Sequence, residues 1–342
     1  MASRRRAIRA ACLALAGFLA PDIASAQPAS DWDAVVAAAK KEGEVVVYSA
    51  IAGAPQPPEI GKLFETKYGI RVRVLDGRPT EIHERIRMEK STNRPGGDLT
   101  LNGSTTLVLL KEQGLLGPRP EIPNFGKVVL KPASDEEIPV FVLAYGLVVN
   151  PTLVPPDQEP KSWRDLLDPK WKGKILSDDM AATGAAATWF GVMQDAFGTE
   201  FHEAFARQNL TFSRQIQDNP RRVARGEFAI YVPLILTFMA NNEGLPLKPV
   251  IPAEGAAYTP FSLAAIAGAP HPNAARLFAN FMLEPEAQLV FARDGYALAV
   301  GGLRDRTPEK WRWSVDAKLL GHQKLDGQEE RLRLADKIYH GK

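Results

Sequence analysis

The residues with the clearest potential for ligand chemistry lie in the stretch 171–190, WKGKILSDDMAATGAAATWF. The apolar pair before Ser177 predicts a short buried strand that ends at a polar turn. A helix is predicted to begin near Thr183, because Gly184 and a run of alanines follow it. The first N–H groups of a helix lack intrahelical partners and lie at the positive end of its dipole, so this junction could bind an anion. An ordinary N-cap on a surface helix fits the same residues.

The sequence shows little sign of catalytic chemistry. Asp178 and Asp179 could form a carboxylate dyad, but adjacent side chains at the end of a strand point to opposite faces. The G-x-S-x-G, P-loop and G-x-G-x-x-G motifs are missing. The histidines have no metal-binding spacing; they are His83, His202, His271, His322 and His340. We therefore expect a protein that is not an enzyme and that has no cofactor and no metal.

Other polar residues fall where predicted strands end, which is where open α/β sheets bind ligands. Arg78 offers a fork of donors suited to carboxylate or phosphate, and three predicted helix starts offer N–H groups. Each of these residues could instead be a cap or a core residue. The predicted ligand-binding residues are Ser49, Arg78, Thr80, Asn102, Ser104, Thr105, Tyr145, Ser177, Thr183, Gly184 and Tyr231. This set is rich in donors without an obvious acidic pocket, so the expected ligand is a small organic anion.

Residues 1–26 have the pattern of a secretory signal peptide. Arg4, Arg5, Arg6 and Arg9 precede an apolar run, and Ala24-Ser25-Ala26 forms an A-x-A cleavage site. We expect cleavage after Ala26 and export to the periplasm, by either the Sec or the Tat route. The single cysteine, Cys12, lies in this segment, so the mature chain would have no disulfide and no thiolate metal site.

The charge, the length and the sequence pattern of the mature chain limit which partners and which fold class are expected. Its acidic and basic residues nearly balance, which leaves no basic field for nucleic acid or an anionic membrane. From Asp31 to Glu112 the patterns alternate as βαβαβα after a first helix, as in an open α/β sheet. The roughly 316 residues beyond the signal suggest two units of ordinary domain size. The last forty residues are predicted to be helical, with Trp311 and Trp313 as anchors.

Six segments in this order resemble an extracellular solute-binding protein of an ABC importer. They are DWDAVVAAAKKEGEVVVYS, GGDLTLNGS, AYGLVVNP, SWRDLLDPKWKGKILSDD with its following TG, RRVARGEFAIYV and HPNAARLFANFMLEPEAQLVFARDGYALAV. The resemblance covers nearly all of the mature chain. It is closest to the subgroup that contains ferric-iron, phosphonate and other small-anion binders, which has the type II periplasmic binding fold.

The resemblance implies an α/β fold of two lobes that hold a ligand in a cleft and close about a hinge. Crossover segments are expected near Ile138 and Gly255. The implied divisions are 1–26 for the signal peptide, 27–137 with 256–303 for lobe 1, and 138–255 with 304–342 for lobe 2 and the C-terminal tail. The implied partners are a small-molecule anion and the membrane subunits of an ABC permease, without nucleic acid, and the protein is expected to be a monomer.

Ferric members of that subgroup hold iron with two adjacent tyrosines, often with a histidine and a carboxylate. The positions that correspond to these ligands are 234–237 for the tyrosines, 51–53 for the histidine and 103–104 for the carboxylate. They hold Leu-Ile-Leu-Thr, Ile-Ala-Gly and Gly-Ser, and Tyr231 is a single nearby phenol. We therefore expect no direct binding of iron, whereas capture of a ferric chelate stays open. An alternative of another class is a periplasmic enzyme or sensor module on a related scaffold.

Overall fold

The computed structural model describes residues 31–182, 184–322 and 327–341. The predicted signal peptide and Thr183 lie outside these residues. The helices are α1 Asp31–Glu42, α2 Gln56–Tyr68, α3 Pro79–Ser91, α4 Ser104–Glu112, α5 Ala185–Phe197, α6 Thr199–Ala206, α7 Asn219–Ala224, α8 Pro272–Met282, α9 Pro285–Ala292, α10 Arg312–Val315 and α11 Gln328–His340. Short 3-10 helices cover Pro123–Lys127, Pro156–Gln158, Trp163–Leu167, Pro169–Trp171, Leu236–Asn242, Arg304–Arg306 and Glu309–Trp311.

The strands form one mixed sheet. They are β1 Glu44–Ser49, β2 Arg71–Asp76, β3 Leu99–Gly103, β4 Ile138–Val149, β5 Ile175–Asp178, β6 Thr211–Ser213, β7 Ile230–Ile235, β8 Lys248–Val250, β9 Ala256–Ala265, β10 Ala297–Leu298 and β11 Leu319–His322. Their order is β2-β1-β3-β9-β4-β7-β5-β6, with β8 and β10 paired to β4 and β11 paired to β9. The predicted alternation of strands and helices before residue 112 is confirmed.

Two long antiparallel strands connect two parallel sets of strands. β1 pairs in parallel with β2 and β3, and β5 pairs in parallel with β6 and β7. Between these sets, β4 pairs with β9 along most of its length, from Ile138 opposite Leu263 to Tyr145 opposite Ala257. β4 and β9 begin at or next to the residues where the resemblance implies crossovers, Ile138 and Gly255.

The apolar side chains gather in separate clusters on the two sides of β4 and β9. Beside β1 and β3, Phe64 packs edge-on against Phe278 and Phe281. Beside β5 and β7, Trp189 packs against Trp163 and the helix α6. The continuous apolar run of β1 is buried on both faces, as expected for a strand inside a parallel sheet.

The C-terminal tail differs from its prediction, because a strand interrupts the expected helices. β11 pairs with β9 in parallel, and α11 then packs against α5 and α6, where the Tyr339 hydroxyl lies 2.7 Å from His202 Nδ1. Trp311 is buried, as expected of an anchor, whereas Trp313 is only partly buried. Among the described residues, no helix combines the length and the apolar character needed to cross a bilayer.

Candidate functional site

A cleft of about 470 Å³ opens between segments that follow strands on both sides of β4 and β9. One wall is the loop after β1 and the start of α2, together with Asp294 and Tyr296 after α9. The opposite wall is Gln217 and the 3-10 helix Leu236–Asn242, which follows β7. The lining residues are Ile51, Ala52, Gly53, Ala54, Pro55, Gln56, Gln217, Thr237, Phe238, Ala240, Asn241, Asp294 and Tyr296.

A second cavity, of about 240 Å³, lies where β5 leads into α5. It is lined by Asp178, Asp179, Ala182, Gly184, Ala185, Ala186, Ser213, Arg214, Ile216 and Ile235. Ile216 in this cavity precedes Gln217 in the larger cleft, and Ile235 lies two residues before Thr237. The two spaces are therefore lined in part by the same two segments of the chain.

The predicted residues of β5, α5 and β7 lie at or beside the second cavity. Gly184 precedes α5 with a φ of 122°, which few residues other than glycine adopt. Ser177 is buried, and its Oγ donates to the carbonyl of Val232 at 2.9 Å. Tyr231 is also buried, and its hydroxyl donates to Asp178 Oδ1 at 2.8 Å. Only Gly184 of these predicted residues lines the cavity itself, whereas Ser177 and Tyr231 support its wall.

The predicted residues of β1, β3 and β4 are mostly committed to internal hydrogen bonds. Ser104 Oγ donates to Glu137 Oε2 at 2.7 Å, and Tyr145 donates to Thr259 Oγ1 at 2.6 Å. Asn102 is buried, and its Oδ1 accepts from the next backbone N–H at 3.1 Å. Ser49 is buried at the end of β1, and Thr105 is half-buried in the first turn of α4. None of these five residues lines either space.

Arg78 and Thr80, at the start of α3, lie away from both spaces in the solvent. The Arg78 guanidinium donates to Glu81 Oε1 from Nε at 2.9 Å and from Nη2 at 2.6 Å. This local pair, three residues apart on a helix start, uses the fork of donors that made Arg78 a candidate for anion binding. Thr80 is exposed.

The structure corrects the expectation that the site has no acidic lining. Burial raises the pKa of Asp178 to about 7, although the hydrogen bonds from Tyr231 and Asn219 act in the opposite direction. Burial alone would raise the pKa of Asp179, but hydrogen bonds from Arg214 and His340 outweigh it and lower that pKa. Sequence patterns cannot predict these opposite pKa shifts, because the hydrogen-bond partners of the two carboxyl groups come from remote parts of the chain.

The side chains of Asp178 and Asp179 point to different partners, as the sequence predicted for neighbours at a strand end. Asp178 Oδ1 accepts from Asn219 Nδ2 at 3.0 Å. Asp179 instead contacts Arg214, whose Nη2 lies 2.6 Å from Oδ2, and His340, whose Nε2 lies 3.0 Å from Oδ1. The pair is therefore not a shared-proton dyad.

Arg214 is the candidate that sequence reasoning missed. It follows β6, a strand of three residues, and no motif marks it. Its guanidinium contacts a single carboxylate oxygen of Asp179, while its side chain stays 79% exposed at the edge of the second cavity. Asp179 keeps a backbone donor from Ala181 at 3.1 Å and the contact with His340 if Arg214 turns away. Arg214 is paired with Asp179 in this structure, and it could bind a ligand if its guanidinium turned from that carboxylate toward the second cavity.

The raised pKa of Asp178 predicts how stability varies with pH. The folded state holds this proton more tightly than the unfolded chain, so the free energy of unfolding should fall as pH rises from about 4 to about 7. Asp178→Asn keeps an acceptor for Tyr231 and Asn219 but cannot ionise. In urea unfolding of the ligand-free protein, the free energy of unfolding of Asp178→Asn should rise relative to that of the wild type between about pH 4 and about pH 7.

The control for that experiment is Asp305→Asn, since the Asp305 side chain is 94% exposed. Its stability profile should follow that of the wild type. Parallel profiles for the wild type and Asp178→Asn would mean that Asp178 is ionised normally.

Some of the positions that correspond to iron ligands lie in the larger cleft. Residues 51–53 and Thr237 line the larger cleft, but they supply apolar side chains, a glycine and one hydroxyl. Across residues 31–182, 184–322 and 327–341, no three histidine, cysteine or acidic side chains are grouped so that they could hold a metal ion.

Comparison with known proteins places the chain in a family. A family model for bacterial extracellular solute-binding proteins matches residues 100–315, more than half of the chain. An uncharacterized protein of Haemophilus influenzae is 25% identical over 323 residues, which are 89% of this chain and 92% of that protein.

Solved structures show the fold. The ferric iron-binding protein A of Mannheimia haemolytica, in an open conformation, matches with a TM-score of 0.73 and 14% identity, over 86% of this chain and 98% of that one. The periplasmic binding protein AfuA of Actinobacillus pleuropneumoniae, with fructose-6-phosphate bound, matches with a TM-score of 0.58 and 21% identity, over 87% of this chain and 97% of that one. The family and fold implied by the sequence are confirmed: the chain belongs to the bacterial extracellular solute-binding proteins and has the type II periplasmic binding fold.

Proposed function

We propose that this solute-binding protein captures a small organic anion, namely a phosphonate, a phosphate ester or a carboxylate, and delivers it to a membrane permease. The observation that carries the proposal is the second cavity, where the start of α5 meets Arg214. The N–H groups of the first turn of α5 have no acceptor within the helix. Together with a guanidinium they form a donor set suited to carboxylate or phosphate oxygens.

The nearby carboxyl groups do not cancel this preference. Burial raises the pKa of Asp178 to about 7, so this carboxyl group holds its proton to a higher pH than an ordinary aspartate does. The charge of Asp179 is balanced by Arg214. A bound anion that draws Arg214 away would leave Asp179 with its contacts to His340 and to the Ala181 N–H. The second cavity therefore presents donors without a large excess of negative charge.

The position of the two spaces supports a mechanism by closure. We propose that residues 27–137 with 256–303 and residues 138–255 with 304–342 form the two lobes, and that β4 and β9 act as the hinge between them. A ligand that contacts both walls of the cleft favours the closed form by its differential affinity for that form. In this proposal the mature protein is a periplasmic monomer, released by cleavage after Ala26, and it performs no chemistry on the ligand.

A thermal-shift screen of the mature protein tests the ligand class. Organophosphates, phosphonates and carboxylates are expected to raise the melting temperature, and the increase should grow with ligand concentration, because a ligand that binds only the folded state stabilises it by mass action. A ligand at a hundred times its Kd contributes about 2.7 kcal/mol. Amino acids, polyamines and ferric citrate complete the screen.

Several outcomes would contradict the proposal. If only polyamines stabilise the protein, its ligand is a cation and not an anion. Stabilisation by ferric citrate but not by citrate would favour capture of a ferric chelate. Turnover of a bound phosphate ester would indicate an enzyme.

A further inference from the structure

The larger cleft has a chemistry different from that of the second cavity. Of its thirteen lining residues, Asp294 is the only charged one. The other polar side chains that line the cleft are the amides of Gln56, Gln217 and Asn241 and the hydroxyls of Thr237 and Tyr296. An anion would find no cation among these lining residues, so this cleft does not repeat the donor set of the second cavity.

The carboxylate of Asp294 is held in place but not neutralised. Gln56 Nε2 donates to its Oδ2 at 2.6 Å, and Gln56 is only 4% exposed. Arg293, the adjacent residue, directs its guanidinium to Glu59 instead. In the described part of the chain Asp294 takes part in no ion pair, and it is partly exposed at the wall of the cleft.

A neutral acceptor without a hydrogen-bond partner accompanies this carboxylate. Gln56 Oε1 is buried and has no hydrogen-bond partner among the described residues. A buried acceptor without a donor costs free energy that a bound donor can recover. A charged acceptor beside a neutral one matches an ammonium group, which carries several donors and a positive charge.

We infer that Asp294 and Gln56 form a subsite for a primary ammonium group, so that the solute is an organic anion with an amino group at its other end. The inference rests on the proposed function, since the anionic end of the same ligand would lie at Arg214 and the start of α5. The two ends are compatible with one molecule, because the two spaces border each other at the adjacent residues Ile216 and Gln217.

Ligands that share the phosphonate group and differ only at the other end test the ammonium subsite separately from the anion site. Calorimetry of the mature protein would compare propylphosphonate, 3-hydroxypropylphosphonate and 3-aminopropylphosphonate, with the two-carbon and four-carbon homologues to vary the reach. The amino compound of the best length is expected to bind about tenfold more tightly than its plain alkyl counterpart, the gain of one charge-assisted contact in a cleft. The hydroxyl compound should fall between them.

Two variants test the residues. Asp294→Asn should remove the tenfold preference for the amino compound over propylphosphonate, with both affinities measured on the same variant. Gln56→Met removes the amide that holds Asp294 and should weaken the preference in part. Asp305→Asn, at a side chain 94% exposed on the surface, is the matched control and should keep the full preference. Melting temperatures without ligand would show that each variant is folded.

The outcomes distinguish this inference from the proposed function. Equal affinities for the alkyl and amino compounds, or a preference that survives Asp294→Asn, would overturn the ammonium subsite and leave anion binding standing. If propylamine binds in a way that depends on Asp294, and no phosphonate, phosphate ester or carboxylate binds, the ammonium subsite is supported and the proposed anion is wrong. If no phosphonate, carboxylate or amine binds, both are wrong.

Discussion

Gly255→Ala is expected to lower the free energy of unfolding by more than about 3 kcal/mol, because a side chain at this position meets two separate obstacles. Gly255 has a φ of +117°, which L residues rarely adopt. An added Cβ would lie 2.8 Å from the carbonyl oxygen of Lys318 and 3.0 Å from the backbone nitrogen of Leu320. Neither neighbour can rotate away, since both are backbone atoms where the chain enters β11.

The consequences should reach the C-terminal tail. Ala256, next to Gly255, donates its N–H to the Lys318 carbonyl at 2.8 Å, and Trp163 Nε1 donates to the Gly255 carbonyl at 2.8 Å. A shift at Gly255 therefore disturbs both the pairing of β11 with β9 and the environment of a buried tryptophan. Urea unfolding followed by tryptophan fluorescence would measure the loss.

Two other glycines serve as controls that separate the effect of the positive φ from that of the close contacts with an added Cβ. Gly114 has a φ of +64° but open space around its Cβ position, so Gly114→Ala should cost only about 1 kcal/mol, for the backbone conformation. Gly126 has open space and no positive φ, so Gly126→Ala should be nearly neutral. A loss at Gly255→Ala no larger than that at Gly114→Ala would show that the tail moves aside without cost.

Arg214→Met is expected to weaken anion binding by about ten- to a hundredfold, since a bidentate or charge-assisted contact contributes about 1.5–3 kcal/mol. The variant should fold but lose some stability. The Arg214 side chain is 79% exposed, whereas Asp179 is buried and would keep only its contacts with His340 and the Ala181 N–H. Calorimetry with the strongest anion of the screen would give the change in Kd, and added salt should weaken binding to the wild type more than binding to the variant.

Arg78→Met is the matched control, because the two arginines are almost equally exposed. Their side chains are 79% and 78% exposed, and each contacts one carboxylate. Arg78 contacts Glu81 outside both spaces, so its replacement should leave the Kd unchanged. If Arg78→Met weakened binding and Arg214→Met did not, the anion would bind beside Arg78, one of the residues that the sequence predicted to contact it.

The different contacts of Arg78 and Arg214 could not be predicted from the sequence. The pattern around Arg78, a turn before a helix with a proline start, predicts a capped helix and a side chain near a strand end, and α3 begins there at Pro79. The sequence also places Glu81 three residues later, yet only the folded helix start shows that this glutamate takes the guanidinium. Arg214 follows a strand of three residues that carries no strong signal.

Local patterns were enough for most of the elements, although they missed the strand β11 in the C-terminal tail. Apolar runs such as that of β1 can be buried only inside a sheet covered on both faces, and prolines and glycines fix where α2 begins and ends. Because these constraints act between near neighbours, the sequence by itself determined the alternation of strands and helices, the family and the fold class.

The tertiary structure decided the site. Asp294 meets Gln56 across 238 positions of sequence, and Asp179 meets His340 across 161. Burial by remote segments raises the pKa of Asp178, which its sequence neighbours do not reveal. Charge, desolvation and hydrogen bonding act through space, so which polar groups are left free for a ligand depends on contacts that form only when the chain has folded.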